Sequence, residues 1–247
     1  MSETRRADLL LVERGLFESR AKARAAIEAG GVIAAGVAVV RAAQLISTDA
    51  EIVAAAAYPW VGRGGLKLDH ALGLWPIAVR GVVVLDVGAS TGGFTEVCLA
   101  RGAAQVFAVD VGRDQLHPRL RADPRVVELS GTDARDLTPA VVPIAPSLIV
   151  CDVSFIGLAK ALPAALALAA PGAQLVALVK PQFEVGPVHV GKGGIVKDEA
   201  VRAEALRGVV DWLEARGWPV RATADSPVLG GDGAREYLLW AMRTASR

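Results

Sequence analysis

Apolar positions along this chain follow two rhythms. From residue 62 onward, short unbroken apolar runs alternate with longer amphipathic stretches. The runs at 82–86, 105–110, 126–129, 147–152 and 174–180 are predicted strands, and 218–223 and 237–243 close the series. Continuous apolarity in a strand means burial on both faces. The stretches between them, 66–73, 94–101, 156–169 and 199–216, are predicted helices. In the last, Leu206, Val209, Val210 and Leu213 fall at helical spacing behind Asp198, a ready N-cap. Strands alternating with helices predict an α/β fold: a Rossmann-like, mostly parallel seven-stranded sheet covered on both faces, with ligands at the carboxyl ends of its strands.

Before residue 58 the rhythm is shorter. Residues 7–14 and 20–29 carry helical patterns, with Ser19 as N-cap and Gly30-Gly31 as stop. Val32-Ile33, Val37 to Val40 and Leu45-Ile46 read as short strands, with Gly36 in a turn. The chain thus divides into a small α-α-β unit (1–57), a proline-stiffened linker Tyr58-Pro59-Trp60-Val61, and a large α/β unit (62–247).

Composition removes several alternatives. The 247 residues are 53% hydrophobic, with a net charge of +1, so bulk charge argues nothing about nucleic acid. The start of the chain is charged and lacks the apolar region of a secretory signal. The most apolar stretch, 161–179, is broken by Pro163, Pro171, Gly172 and Gln174, which disfavours a membrane span. Cys98 and Cys151 are far apart in apolar segments, with no disulfide or metal-ligand pattern, and His70, His117 and His189 are scattered. A cytoplasmic, metal-free protein is expected.

The most informative segment is 86–94. Asp86 ends an apolar strand, a turn with Gly88, Ser90, Thr91, Gly92 and Gly93 follows, and a helix begins near Phe94. Glycines in such a turn let the backbone approach a nucleoside-bearing ligand. The spacing fits a dinucleotide fingerprint poorly, and no phosphate-loop lysine follows. An acid beside the turn suits a cation better than a pyrophosphate, which selects S-adenosylmethionine. Asp110, followed by Val111, lies 24 residues beyond Asp86, where a carboxylate can accept ribose hydroxyls. Asp133, followed by Ala134, follows the next strand and can receive an adenine amino group.

Four more charged residues gather at strand ends or close beside them: Lys67, Asp152, Lys180 and Glu236. A ribose hydroxyl is a weak nucleophile and must lose its proton as a methyl group arrives. A lysine accepts that proton when burial and a neighbouring cation favour its neutral form. Lys180 is the expected general base, with Lys67 as the neighbouring cation and Asp152 and Glu236 holding both amines. Residues 1–24 carry Arg5, Arg6, Arg14, Arg20, Lys22 and Arg24 against four acids. These cations, with Arg63 beside its glycines, are the candidate RNA contacts; a solvated surface accounts for the charge excess about as well.

Gly-Arg-Gly-Gly-Leu-Lys-Leu (62–68), DVGASTGGFT (86–95), VDVGRDQLHPRLR (109–121), DVSFI (152–156), LVKPQFE (178–184) and GKGGIVKD (191–198) together resemble the TlyA family of ribosomal RNA 2′-O-methyltransferases, over essentially the whole chain. The resemblance implies an FtsJ-like, class I S-adenosylmethionine-dependent domain whose Lys-Asp-Lys-Glu tetrad maps onto Lys67, Asp152, Lys180 and Glu236. Residues 11–32 resemble a small RNA-binding domain shared by a ribosomal protein and pseudouridine synthases. The family implies methylation of cytidine in 23S rRNA, and in some members 16S rRNA, with ribosomal subunits as partners. Its name comes from haemolysis, which leaves a pore-forming role as the rival reading and a small-molecule methyltransferase as the runner-up among enzymes. Two departures stand out: Ala35 where the family has Asn before the turn glycine, and Ala234 where it has Asn two residues before Glu236.

Overall fold

The computed structural model describes residues 3–230 and 233–244. The chain separates into two compact units, Met1–Pro59 and Trp60–Arg247.

The smaller unit runs β1 (Thr4–Arg6), α1 (Ala7–Glu13), α2 (Arg20–Glu28), β2 (Val32–Ala34), β3 (Val37–Ala38), β4 (Leu45–Ser47) and β5 (Ile52–Ala54). Ser19 caps α2 by accepting the Lys22 N–H. β1 pairs with β4, and β2 is the centre of a three-stranded antiparallel sheet, β3-β2-β5. Leu11, Phe17, Ile27 and Val32 are in its core. β1 and β5 are absent from the pattern reading because three residues, half of them exposed, carry almost no period. The strand expected over Val37 to Val40 shortens to Val37–Ala38.

The larger unit contains α3 (Gly64–Leu74), β6 (Val83–Val87), α4 (Gly93–Ala100), β7 (Gln105–Asp110), α5 (Pro118–Arg121), β8 (Val126–Ser130), β9 (Leu148–Cys151), α6 (Leu158–Ala161), α7 (Pro163–Leu168), β10 (Gln174–Val179), α8 (Pro181–Glu184), α9 (Glu199–Glu214), β11 (Val220–Asp225) and β12 (Tyr237–Met242). Its seven strands lie in the order β11-β12-β10-β9-β6-β7-β8. β6 to β10 pair in parallel, and β12 runs antiparallel between β10 and β11. From β6 the chain steps outward to β7 and β8, then returns to β9 on the other side. That reversal opens a crevice at the carboxyl ends of β6 and β9, where open α/β sheets bind ligands.

Burial explains the unbroken apolar runs. Alternate residues of the central strands feed two separate cores, one holding Leu85, Ile149, Leu175 and Leu213, the other Val84, Val150, Leu178 and Phe94. The helix expected over 156–169 is two helices. Pro163 has no N–H to bond back into the preceding turn, so α6 stops and α7 starts at that proline. The end strands are displaced by one or two residues from the reading; β11 begins at Val220. Trp60 and Val61, read as linker, belong to the larger unit: Val61 is buried and its N–H bonds the Glu96 carboxylate.

Candidate functional site

The glycine turn is built by close approach. At Gly88, φ is +86°, and a Cβ would come within 2.9 Å of the Asp152 carbonyl oxygen. Any side chain there would push β6 and β9 apart at the crevice. At Gly92, φ is +96°, and a Cβ would overlap the Leu120 side chain. The turn delivers the chain into α4, which Gly92 caps.

Two adjoining cavities open at these strand ends. The larger, about 710 Å³, has Gly88, Ser90, Asp110, Val111, Asp133 and Ala134 on its wall, together with Asp152 and Ser154. The smaller, about 200 Å³, is lined by Arg63, Thr91, Gly93, Phe94, Asp152, Ser154 and Lys180. Gly88, Ser90, Asp152 and Ser154 are common to both, so the cavities meet over the end of β9.

The larger cavity has the size of a ligand site, which ranges over roughly 300–1,000 Å³. Asp110 accepts the N–H of Ser90 (2.8 Å) on one oxygen and of Gly112 (2.7 Å) on the other. A carboxylate has about four lone-pair sites, so acceptor capacity remains for a pair of hydroxyls. Asp133 holds the Arg135 guanidinium at 2.6 Å, and that hydrogen-bonded pairing lowers its carboxyl to about 2. Val111, Ala134, Val153 and Ile156 add apolar wall, suited to a flat ring. Three carboxylates, Asp110, Asp133 and Asp152, line this cavity against two cations, Arg135, which is paired with Asp133, and Lys160; with no phosphate-loop lysine at the turn, the residues present fit a cationic nucleoside.

Asp86 lies elsewhere than the wall. It is fully buried beneath the turn, and Thr95 Oγ1 donates to its Oδ2 at 2.6 Å. Its Oδ1 has no hydrogen-bond partner among the described residues. Burial pushes this carboxyl up to about 7; the Thr95 bond opposes the shift and the nearby Asp152 charge adds to it. Its register on β6 turns it toward α4, so it braces the turn from below. Gly92, too, is off both walls, packed against Leu120.

The four charged residues converge. Lys67, in α3, places Nζ 2.5 Å from Glu236 Oε2 and 3.8 Å from Asp152 Oδ2. Lys180, just past β10, places Nζ 2.6 Å from Asp152 Oδ1 and 2.9 Å from Ser154 Oγ. Lys67, Lys180 and Glu236 are buried and Asp152 is nearly so. The set therefore forms a line, Glu236–Lys67–Asp152–Lys180, whose last amine lines the smaller cavity. A lysine in such a place can accept or hold a proton at the junction of two binding spaces. Ser154 takes no role from sequence alone; its signal there is its place in DVSFI, two residues after Asp152.

The six cations of residues 1–24 are engaged internally. Arg5 bonds Glu3 and Glu13; Arg6 and Arg20 both bond Asp8; Lys22 pairs with Glu18 and Arg24 with Glu28. Arg14 donates to the Thr48 and Ala50 carbonyls. Arg63 is exposed at the smaller cavity. His117 caps α5, its Nδ1 accepting the Arg119 N–H. Among the described residues, no His/Cys/Asp/Glu group could hold a metal ion, and no helix is long and apolar enough to cross a membrane.

Comparison with known proteins places this arrangement in context. The family model described as FtsJ-like methyltransferase matches residues 60–243. A 16S/23S rRNA (cytidine-2′-O)-methyltransferase TlyA of Mycobacterium tuberculosis is 46% identical over 249 residues, covering 100% of this chain and 93% of the relative. The Hemolysin A of Brachyspira hyodysenteriae is 38% identical, over 94% of this chain and 98% of its own length. A solved structure of a candidate hemolysin from Streptococcus thermophilus superposes with a TM-score of 0.78 at 37% identity, covering 100% of this chain and 90% of that one.

Proposed function

This chain belongs to the FtsJ-like methyltransferase family and, across its full length, to the TlyA proteins within it, and from that membership we propose that it methylates the 2′-hydroxyl of a cytidine ribose in ribosomal RNA. S-adenosylmethionine would supply an electrophilic methyl group on a sulfonium. Asp110, with the Ser90 and Val111 segments beside it, would hold the nucleoside ribose, and Asp133 and Ala134 the base. That methyl group would pass to the 2′-oxygen of the acceptor, the electron pair of the broken carbon–sulfur bond staying on sulfur. The hydroxyl proton would pass to Lys180 Nζ and from there to solvent. Asp152 holds Lys180, Lys67 holds Asp152, and Glu236 holds Lys67.

The single observation that carries this reading is the buried line Glu236–Lys67–Asp152–Lys180 ending on the smaller cavity, where the larger one adjoins. An in-line displacement needs its base, nucleophile and methyl donor fixed together, and two joined cavities with a lysine at their border suit that need. The Mycobacterium tuberculosis relative, by its name, acts on both 16S and 23S rRNA; here the large-subunit RNA is the first substrate to test and the small-subunit RNA the second. The smaller unit, residues 1–59, would bind RNA, its surface cations exchanging carboxylate partners for phosphates. Such work belongs in the cytoplasm, with ribosomal subunits as partners.

The test supplies labelled S-adenosylmethionine and unmodified 50S and 30S subunits, then digests the RNA to nucleosides. Label in 2′-O-methylcytidine is the expected result. Label on a base, or none in either subunit while the cofactor binds, would overturn the reading.

A further inference from the structure

Lys180 has two partners, and only one belongs to the charged line. Its Nζ lies 2.6 Å from Asp152 Oδ1 and 2.9 Å from Ser154 Oγ. Ser154 lines both cavities and is exposed. Its hydroxyl is therefore a surface group of the cleft, not packing.

We propose that Ser154 is a positioning residue for the methyl transfer: with Asp152 it fixes the direction in which the Lys180 nitrogen faces the acceptor hydroxyl. This rests on the reading of Lys180 as the base.

The shape of an amine makes two tethers necessary. A neutral lysine nitrogen is tetrahedral, with its Cε, two hydrogens and one lone pair. Asp152 Oδ1 holds the amine by charge at 2.6 Å without accepting a hydrogen bond, whereas Ser154 Oγ accepts an N–H at 2.9 Å. An ion pair has little directional preference, so the one directed bond, to Ser154, decides which way the lone pair faces. With the Asp152 ion pair alone, the amine turns freely about its Cε–Nζ bond, and the lone pair sweeps a cone. Lysine also has four side-chain torsions, so a second tether removes freedom that one ion pair leaves. The hydroxyl suits this work because it accepts without adding charge. Asp152 already carries one negative charge at this amine, and a second carboxylate would hold the proton there. The local chain reinforces the position: Phe155, next in sequence, takes φ +68° and packs against Phe183 with ring centres 5.4 Å apart. Phe183 lies in α8, which directly follows Lys180. The segment carrying Ser154 and the segment carrying Lys180 are thus tied together beyond the hydrogen bond itself.

The experiment uses the full chain under single-turnover conditions, with ribosomal subunits and saturating S-adenosylmethionine. Ser154→Ala, Ser154→Thr and Lys180→Ala are compared with the wild type. The expected result for Ser154→Ala is a methylation rate lower by about 10- to 100-fold, the order of loss seen when a reacting group is misplaced by an ångström. Apparent affinity for RNA and cofactor should stay within about 3-fold. Ser154→Thr keeps the hydroxyl and should recover most of the rate. A Ser154→Ala rate within 3-fold of wild type overturns the proposal, as does a loss confined to affinity, or a Thr variant as slow as Ala. Lys180→Ala separates the two levels. If it is inactive while Ser154→Ala is normal, only the positioning role fails. If Lys180→Ala retains the wild-type rate, the base assignment fails and the positioning role with it.

Discussion

Replacing Lys67 with Met should destabilise the larger unit strongly, and replacing Glu236 as well should restore much of the loss. The two side chains meet at 2.5 Å and are only 7% and 3% exposed. Solvent screening is therefore slight. Removing one member leaves a buried, uncompensated charge, which typically costs about 3–5 kcal/mol. In Lys67→Met the orphan is Glu236, and Asp152 also loses its second cation at 3.8 Å. In Lys67→Met/Glu236→Leu neither charge is buried alone, and apolar replacements of such pairs are often close to neutral. The double variant should thus lose less than the Lys67→Met variant, with a coupling of at least about 2 kcal/mol. Urea unfolding followed by tryptophan fluorescence measures this cleanly. All five tryptophans, Trp60, Trp75, Trp212, Trp218 and Trp240, lie in the larger unit, so the smaller one is silent. At an m-value of about 2–3 kcal/mol per molar urea, the single variant's midpoint falls by more than about 1 M. A double variant that loses the full sum of the two single losses would refute the claim that these charges stabilise each other.

Asp86 gives a pH-dependent prediction. Its folded-state value of about 7 stands above the ordinary 3.8, chiefly through burial. The folded protein therefore binds this proton more tightly than the unfolded chain does. The stability so gained is fully present below pH 3.8 and is lost as pH rises through 7. Wild type minus Asp86→Asn, measured by urea unfolding, should fall between pH 4 and pH 8 by up to about 4 kcal/mol; a flat difference would contradict the burial argument. In the smaller unit, Ala35 and Gly36 form a two-residue hairpin turn with φ of +48° and +76°, a left-handed pair in which Asn-Gly is favoured. Ala35→Asn should stabilise this turn by about 0.5–1 kcal/mol, read as roughly 2- to 5-fold slower hydrogen exchange at the Val39 N–H, which bonds Val32; faster exchange would refute it. Lys22→Ala/Arg24→Ala should weaken binding to ribosomal RNA and flatten its salt dependence by about 0.7–0.9 in log–log slope for each phosphate that a cation no longer neutralises. An unchanged slope would mean these cations serve only Glu18 and Glu28.

Much of the fold was legible in the chain because the larger unit writes it in buried strands. The central strands appear as apolar runs, interrupted in β6 only by the buried Asp86, and three are followed or ended by a polar residue at the crevice: Asp110, Asp152, Lys180. The chain order of those runs does not reveal that β12 inserts antiparallel between β10 and β11; that depends on pairing between distant segments. Three-residue strands such as β1 carried no period, and the break at Pro163 was visible only as a residue, not as a consequence. At the site, sequence spacing brought out the carboxylates and the lysines but not their partners. Asp86 reads as a ligand contact until the fold turns it beneath the turn onto Thr95. The basic residues of the first 24 positions read as free cations until the fold supplies each with an acceptor. Ser154, a small hydroxyl in a loop, has no pattern of its own and acquires meaning only from the nitrogen beside it.

The proposed chemistry turns on Lys180 taking the proton from a ribose 2′-hydroxyl. Lys180→Met in the full chain puts this to the test, assayed for S-adenosylmethionine affinity by calorimetry and for 2′-O-methylation of ribosomal subunits in a single turnover. Cofactor affinity should stay within about 3-fold of wild type while the methylation rate drops by at least about 100-fold, the range for a lost general base. Wild-type methylation by a variant that binds the cofactor normally would contradict the role given to Lys180.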